Sequence, residues 1–178
     1  MPTAVIAFGG NAFVPEGASG AYDVPVEVLE MDSVRALVDA GVVVIAGGGV
    51  TLPRSDDGLH GVDAVIDKDR VAAHLATGLG AELLVLVTGV PAVAIDYDTP
   101  AQRSIDEMTV AQARAHLADG QFPVGSMGPK VESTTEFVGR GARLALITSD
   151  PHVGDALDGR HGTRVVDDVE RGQDEIAA

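Results

Sequence analysis

Four short stretches of the chain are almost wholly apolar: TAVIAFGG (3–10), VVVIAGGG (42–49), ELLVLVTGV (82–90) and RLALIT (143–148). Runs of this length, rich in branched residues and closed by glycine or a polar turn, predict buried strands. The segments between them carry helical spacing. In PVEVLEMDSVRALVDAG the apolar positions Leu29, Val34, Leu37 and Val38 fall partly on one face, and Gly41 is a stop signal. DKDRVAAHLATGLGA predicts a helix with Asp67 as N-cap and Gly78 or Gly80 at its end. TVAQARAHLADG predicts an amphipathic helix between Thr109 and Gly120, and SMGPKVESTTEFVGRGA another that tolerates Pro129 in its first turn.

Smaller pieces complete the pattern. NAFVPEGASGAYDVP is a loop, and VTLPRSDDGLHGVDAV is a loop with a small hairpin around Asp57-Gly58. AVAIDYDTPAQ is a short strand and turn, DPHVGDALDG a short helix, and GTRVVDD a last strand. Residues 168–178 form a charged, loose tail, and residues 1–178 make one domain. Strands that alternate with helices and are continuously apolar predict an α/β fold: a sandwich with a mostly parallel sheet covered on both faces. Ligands of such sheets bind at the carboxyl ends of the strands. The clusters Gly9-Gly10 and Gly47-Gly48-Gly49 lie at those ends.

Composition narrows the chemistry. With 46% hydrophobic residues, the chain can build a core without covalent staples. It has no cysteine, which excludes disulfides, thiolate metal sites and a cysteine nucleophile. The N-terminal residues carry no signal-peptide pattern and no apolar run reaches the length of a membrane span, so a cytoplasmic protein is expected. A net charge of −15, from 27 acids against 12 bases, argues against nucleic-acid binding and fits a salt-adapted acidic surface. It also repels nucleotides, so a phosphate site on this chain must be locally positive.

That requirement makes the two lysines informative. Lys68, in IDKD, and Lys130, closing GSMGPK, are the only lysines, and each stands at the start of a predicted helix. A helix N-terminus is a poor place for a cation unless an anion is to be held there. Asp67 and Asp69 flank Lys68 and offset the cost. The glycine clusters GGNA and AGGG expose backbone N–H groups that can converge on an anion, although neither matches a P-loop or a dinucleotide fingerprint. The five histidines show no metal-ligand spacing and read as loop or helix-surface residues. Asp96 and Asp98 read as turn residues, and Ser126 has no evident base partner.

FGGNAF, VVVIAGGGVTLP, GVDAVIDKDRVAAHLA and FPVGSMGPKVESTTEFV, in this order, resemble the signatures of the carbamate kinases of the amino-acid-kinase superfamily. The resemblance covers the first dozen residues and then Val24 to about Asp167. It implies a three-layer αβα fold, often a homodimer, and reversible phosphoryl transfer between carbamoyl phosphate, or a related small acyl phosphate, and ADP. By matching motifs it places Gly9, Gly10 and Asn11 along the transferred phosphate, with Gly47, Gly48 and Gly49 in the same area. Ser126, Met127 and Gly128 join them at the nucleotide. Lys68 and Lys130 neutralise the phosphoryl group in flight, Asp69 orients the lysines, and Mg2+ accompanies the ATP or ADP. The departures are equally specific. The family's H-G-N-G-P-Q segment and lid subdomain are absent, Gly89 stands where the family has an aspartate, and Val50 replaces a fourth glycine. Loss of substrate-side elements keeps a second expectation open: a catalytically degenerate nucleotide- or phosphate-binding relative with a regulatory or partner role. Deleting strands also uncovers apolar surface, from which a homo-oligomer is expected.

Overall fold

The sheet is built from the apolar runs. In the computed structural model, which describes residues 3–8, 28–46, 54–55, 58–59, 67–123 and 125–168, β1 (Ala4–Phe8) pairs in parallel with β4 (Leu83–Thr88). The strand β4 pairs in parallel with β8 (Leu144–Ser149). Beyond β8 the direction reverses. The strand β9 (Thr163–Val166) runs antiparallel to β8, and β7 (Glu107–Thr109) closes the order β1-β4-β8-β9-β7. The arrangement is the expected α/β sandwich with a mostly parallel sheet. Two small antiparallel pairs lie outside it. One is β2 (Arg54–Ser55) with β3 (Gly58–Leu59), the hairpin expected near Asp57-Gly58. The other is β5 (Val93–Ile95) with β6 (Arg103–Ile105).

The helices follow their sequence signals. Helix α1 spans Met31–Asp39, and Gly41 ends it at φ +78°. Helix α2 spans Lys68–Leu79, with the Asp67 side chain capping the N–H of Asp69 and Gly80 closing it in the left-handed conformation. Helix α3 spans Val110–Ala118 and opens with a reciprocal capping box between Thr109 and Gln112. Helix α4 spans Met127–Gly139. A 3-10 turn at Asp150–His152 leads into α5 (Val153–Leu157). Asp168 is tied to the fold, since its Oδ1 accepts a hydrogen bond from the N–H of Ala111 at 3.1 Å.

The two sheet faces are unequal. Alternation sends Leu84, Leu86, Ala145, Ile147 and Val165 to one side, where they join Ala72, Ala76, Val131, Phe137 and Val138 in the main core. On the opposite face Val85, Val87 and Leu146 meet Val153 and Ala156 of α5. There the expected full cover is incomplete, because Ile6 of β1 stays 44% exposed. Two expectations about strands are therefore corrected. First, β1 is partly exposed, not buried, and among the described residues β4 is its one partner strand. Second, within the apolar run at 42–49, residues 42–46 form no ladder with any described strand. Val43 is 91% and Ile45 100% exposed, because no strand or helix among the described residues covers them. Apolar composition marks a segment as able to form a strand, but only a partner makes it one.

Candidate functional site

The lysines meet through helix packing. In the βαβ arrangement α2 leads into β4 and α4 into β8, so the N-termini of both helices stand at the carboxyl edge of the sheet. Helix α2 turns Ala72, Ala73 and Ala76 inward, and these small side chains let α4 approach closely. The gap is then short enough for Asp69 and Lys130 to meet. Lys130 Nζ donates to Asp69 Oδ2 at 2.8 Å, and Lys68 Nζ lies 3.5 Å from the same oxygen. Asp69 is 1% exposed and Lys130 is buried, whereas the Lys68 side chain keeps 31% of its surface in solvent.

The electrostatics follow. One buried carboxylate between two ammonium groups leaves one positive charge, and the two helix N-termini add about half a charge each. Asp67 counters part of this from its capping position, 3.9 Å from Lys68. Asp69 Oδ1 is buried without a hydrogen-bond partner among the described residues. An acidic chain thus carries, at one edge of its sheet, a structured positive spot with an acceptor to spare. Between α2 and α4, a cavity of about 50 Å³ lined by Asp67, Arg70, Pro129, Glu132, Ser133 and Glu136 has room for water but not for a nucleotide.

The turn before α4 is held by its backbone. The N–H of Gly128 donates to the carbonyl of Pro123 at 3.1 Å, and Gly125 adopts φ +78°. A side chain at Gly128 would bring its Cβ within 3.1 Å of the Pro123 carbonyl oxygen, a tight contact that the turn would have to relieve by a small shift. Ser126 and Met127 begin the helix beside it, with no side-chain cap from Ser126. Of the residues singled out from sequence, the structure brings Lys68, Asp69 and Lys130 together and sets Ser126, Met127 and Gly128 at the start of the same helix as Lys130. Gly9, Gly10, Asn11, Gly47, Gly48 and Gly49 lie outside the described residues. Gly89, at the end of β4, has nothing within 4 Å of where its Cβ would stand.

One cluster escaped the sequence reading. At the end of β8, Ser149 Oγ and His152 Nδ1 lie 2.8 Å apart, and the His152 and His161 rings stack at 3.9 Å between centroids. These histidines were expected to be loop or helix-surface residues, and their stacking was not foreseen. No spacing rule pairs positions 152 and 161, because the glycine turn at 159–162 and the reversal into β9 bring them together. Nearby, a hydrogen bond from Arg160 holds the Asp155 carboxyl below its ordinary range.

The positive edge fits the phosphates of a nucleotide. Among the described residues, no group of three His, Cys, Asp or Glu is placed to hold a metal ion. A magnesium ion arriving with a nucleotide would have phosphate and water oxygens as its ligands.

Comparison with known proteins agrees with this geometry. The amino acid kinase family model matches residues 4–149. Carbamate kinase 3 of Staphylococcus aureus (strain USA300) is 40% identical over 164 residues, covering 88% of this chain and 53% of the relative. Carbamate kinase of Halobacterium salinarum is 44% identical over 144 residues, covering 80% of this chain and 47% of the relative. The solved carbamate kinase from Giardia lamblia bound to AMP-PNP superposes with a TM-score of 0.77 at 38% identity, over 81% of this chain and 51% of that one. The chain belongs to the amino acid kinase family, and it spans about half the length of the carbamate kinases that it matches.

Proposed function

We propose that the chain is a carbamate-kinase-like phosphotransferase that moves a phosphoryl group reversibly between carbamoyl phosphate, or a related small acyl phosphate, and ADP. The observation that carries this reading is the Lys68–Asp69–Lys130 cluster at two adjoining helix N-termini. Phosphoryl transfer asks little covalent chemistry of a protein. It needs in-line positioning and neutralisation of the charge that spreads over the equatorial oxygens. In the direction of ATP synthesis, a β-phosphate oxygen of ADP forms the new P–O bond while the bond from phosphorus to the acyl oxygen breaks, and the acyl group leaves as its carboxylate. Lys68, partly open to solvent, is the group able to reach an incoming phosphate. Lys130 is held by Asp69, so its charge is pre-set and needs no reorganisation during transfer. The free Asp69 Oδ1 accepts a donor brought by the ligand. Ser126, Met127 and Gly128 offer backbone donors at the start of α4. The likeness to a kinase solved with AMP-PNP supports a nucleotide as one substrate.

A second reading has its own observation. Gly89 and Val50 stand where the resemblance implies an aspartate and a fourth glycine, and the H-G-N-G-P-Q segment and lid are missing between the two glycine clusters, which favours a nucleotide- or phosphate-binding relative without transfer activity. One experiment separates the two. ATP formation from ADP, Mg2+ and carbamoyl phosphate is measured for the unmodified chain, for Lys68→Ala and for Lys130→Arg. Transfer that falls about 100- to 1,000-fold in Lys68→Ala supports the enzyme. Absence of ATP formation at high protein and high salt, with ADP binding retained, establishes the binding role.

A further inference from the structure

We infer that the stacked His152 and His161 rings form an acid-sensitive latch, which holds α5 on the carboxyl end of the sheet while at most one ring carries a proton and releases it when both do. The inference is independent of the phosphotransfer reading.

The stack joins two segments of the chain. His152 ends the 3-10 turn that leads into α5, and His161 stands in the turn between α5 and β9. Their rings are nearly parallel, 3° between planes and 3.9 Å between centroids, and both residues are half-buried. Behind them Ala156 is the buried residue of α5, and with Val153 it meets Val85, Val87 and Leu146. A helix of five residues is not stable by itself and depends on such ties.

The two rings differ in what a proton would meet. His152 Nδ1 lies 2.8 Å from Ser149 Oγ, a hydroxyl that can accept from an imidazolium as well as donate to a neutral ring. His161 Nδ1 is buried with no partner among the described residues. An imidazolium there would place an N–H on that nitrogen with nothing to accept it. The charged groups around the stack offset one proton and not two. Asp155 of α5 is the nearby carboxylate, and Arg160 already donates to it at 2.5 Å. The hydrogen bond and charge of Arg160 hold the Asp155 carboxyl below its ordinary range, and His152 and His161 add to that effect. Asp158 is held by Arg160 at 2.9 Å, and Arg164 of β9 by Glu107 at 3.3 Å. Asp150 opens the 3-10 turn, and Thr148 and Ser149 at the end of β8 are neutral. A second proton therefore sets two cations face to face, where they repel. Once α5 lifts, both rings reach water and take up protons as ordinary histidines do. The open form then binds one proton more than the closed form, so falling pH favours opening. With an ordinary histidine value near 6.5, one added proton shifts the opening equilibrium by about 30-fold between pH 7.5 and 5.0.

Hydrogen exchange of the full chain at these two pH values, corrected for intrinsic rates, tests the latch. The amides of Asp158, Gly159 and Arg160 donate to the carbonyls of Gly154, Ala156 and Asp155, so they report whether α5 is seated. Their protection should fall about 30-fold at pH 5.0 relative to the amides of β4 and β8, which carry any global change. His161→Phe keeps a ring for the stack and takes no proton, so in that variant the same amides should hold their protection. An NMR titration of the unmodified chain gives a second readout: the ring-current shift between the two imidazoles should vanish as the second ring protonates. Unchanged protection at pH 5.0 overturns the inference. So does a loss in step with β4 and β8, or an equal loss in His161→Phe. Two protonated rings that keep their ring-current shift also overturn it, whether or not the variant folds.

Discussion

Replacing Lys130 with methionine keeps most of the side-chain volume and removes the charge that faces Asp69. Asp69 is 1% exposed, and its Oδ1 already lacks a partner. Stranding a buried carboxylate costs about 3–5 kcal/mol. Lys68, 3.5 Å away, still attracts it, so the low end, about 3 kcal/mol, is expected. For a domain of this size that lowers Tm by about 6–12 °C. The double variant Asp69→Asn with Lys130→Met removes both charges together and should cost much less, because replacing a buried pair is often near neutral. Urea unfolding of the four species gives the cycle. The single variant should lose about 3 kcal/mol at unchanged m, and the coupling should be about 2 kcal/mol. A single-variant loss under about 1 kcal/mol, or a double variant as damaged as the single, would refute the claim that burial makes this pair interdependent. The cycle bears on catalysis too. A loss of activity in Lys130→Met alone would mix unfolding with chemistry, whereas the double variant tests the Lys130–Asp69 pair as a unit in a fold that still stands.

Three further outcomes follow from local geometry. Gly162→Ala should destabilise by about 2 kcal/mol or more in the same urea assay, since φ is +83° and a Cβ there would stand 2.8 Å from the Ile147 carbonyl oxygen. Gly89→Asp should leave stability within about 0.5 kcal/mol because the space is open, and ADP affinity by calorimetry then reports what a carboxylate at this position does. Burial lowers the pKa of His74 below 6.5, ahead of the opposing effect of Glu136. The unfolded chain therefore takes up the proton first. Stability should fall as pH drops below 6.5 and stop falling once the folded state also protonates, and His74→Gln should flatten this part of the stability–pH profile.

Much of the helix framework could be read from the sequence because its signals are local. Asp67 as N-cap, Gly41 and Gly80 as stops, the Thr109 cap and Pro129 in a first turn each act within a few residues. The lysines were legible as a pair for a different reason: with only two in the chain, their shared position at helix starts stood out. Their shared carboxylate came from the resemblance, which has Asp69 orient both lysines. The residues alone made Asp69 a neighbour of Lys68, yet its closer partner is Lys130, 61 positions away. That preference depends on how closely α2 and α4 pack, which alanines permit but do not announce. The histidine stack depends likewise on a turn and a strand reversal. At 42–46 the local signal pointed the wrong way, because the missing ingredient was a neighbour.

The same distinction bears on how the Lys68–Asp69–Lys130 cluster is held. The lysine cluster rests on α2, α4, β4 and β8, whose side chains belong to the main core, and α2 also packs on β1, whose Val5 and Ala7 lie against that core. The uncovered surface is concentrated at the other end of the sheet order, in β1, α1 and 42–46. The two faces of β1 therefore differ in role: Val5 and Ala7 lie against the core that carries the lysine cluster, and Ile6 lies on the uncovered face. Ile6→Ser, on the uncovered face, should therefore leave the Lys130–Asp69 coupling of the urea cycle unchanged. If that coupling fell instead, the sheet would have to transmit strain from β1 to its helix layer.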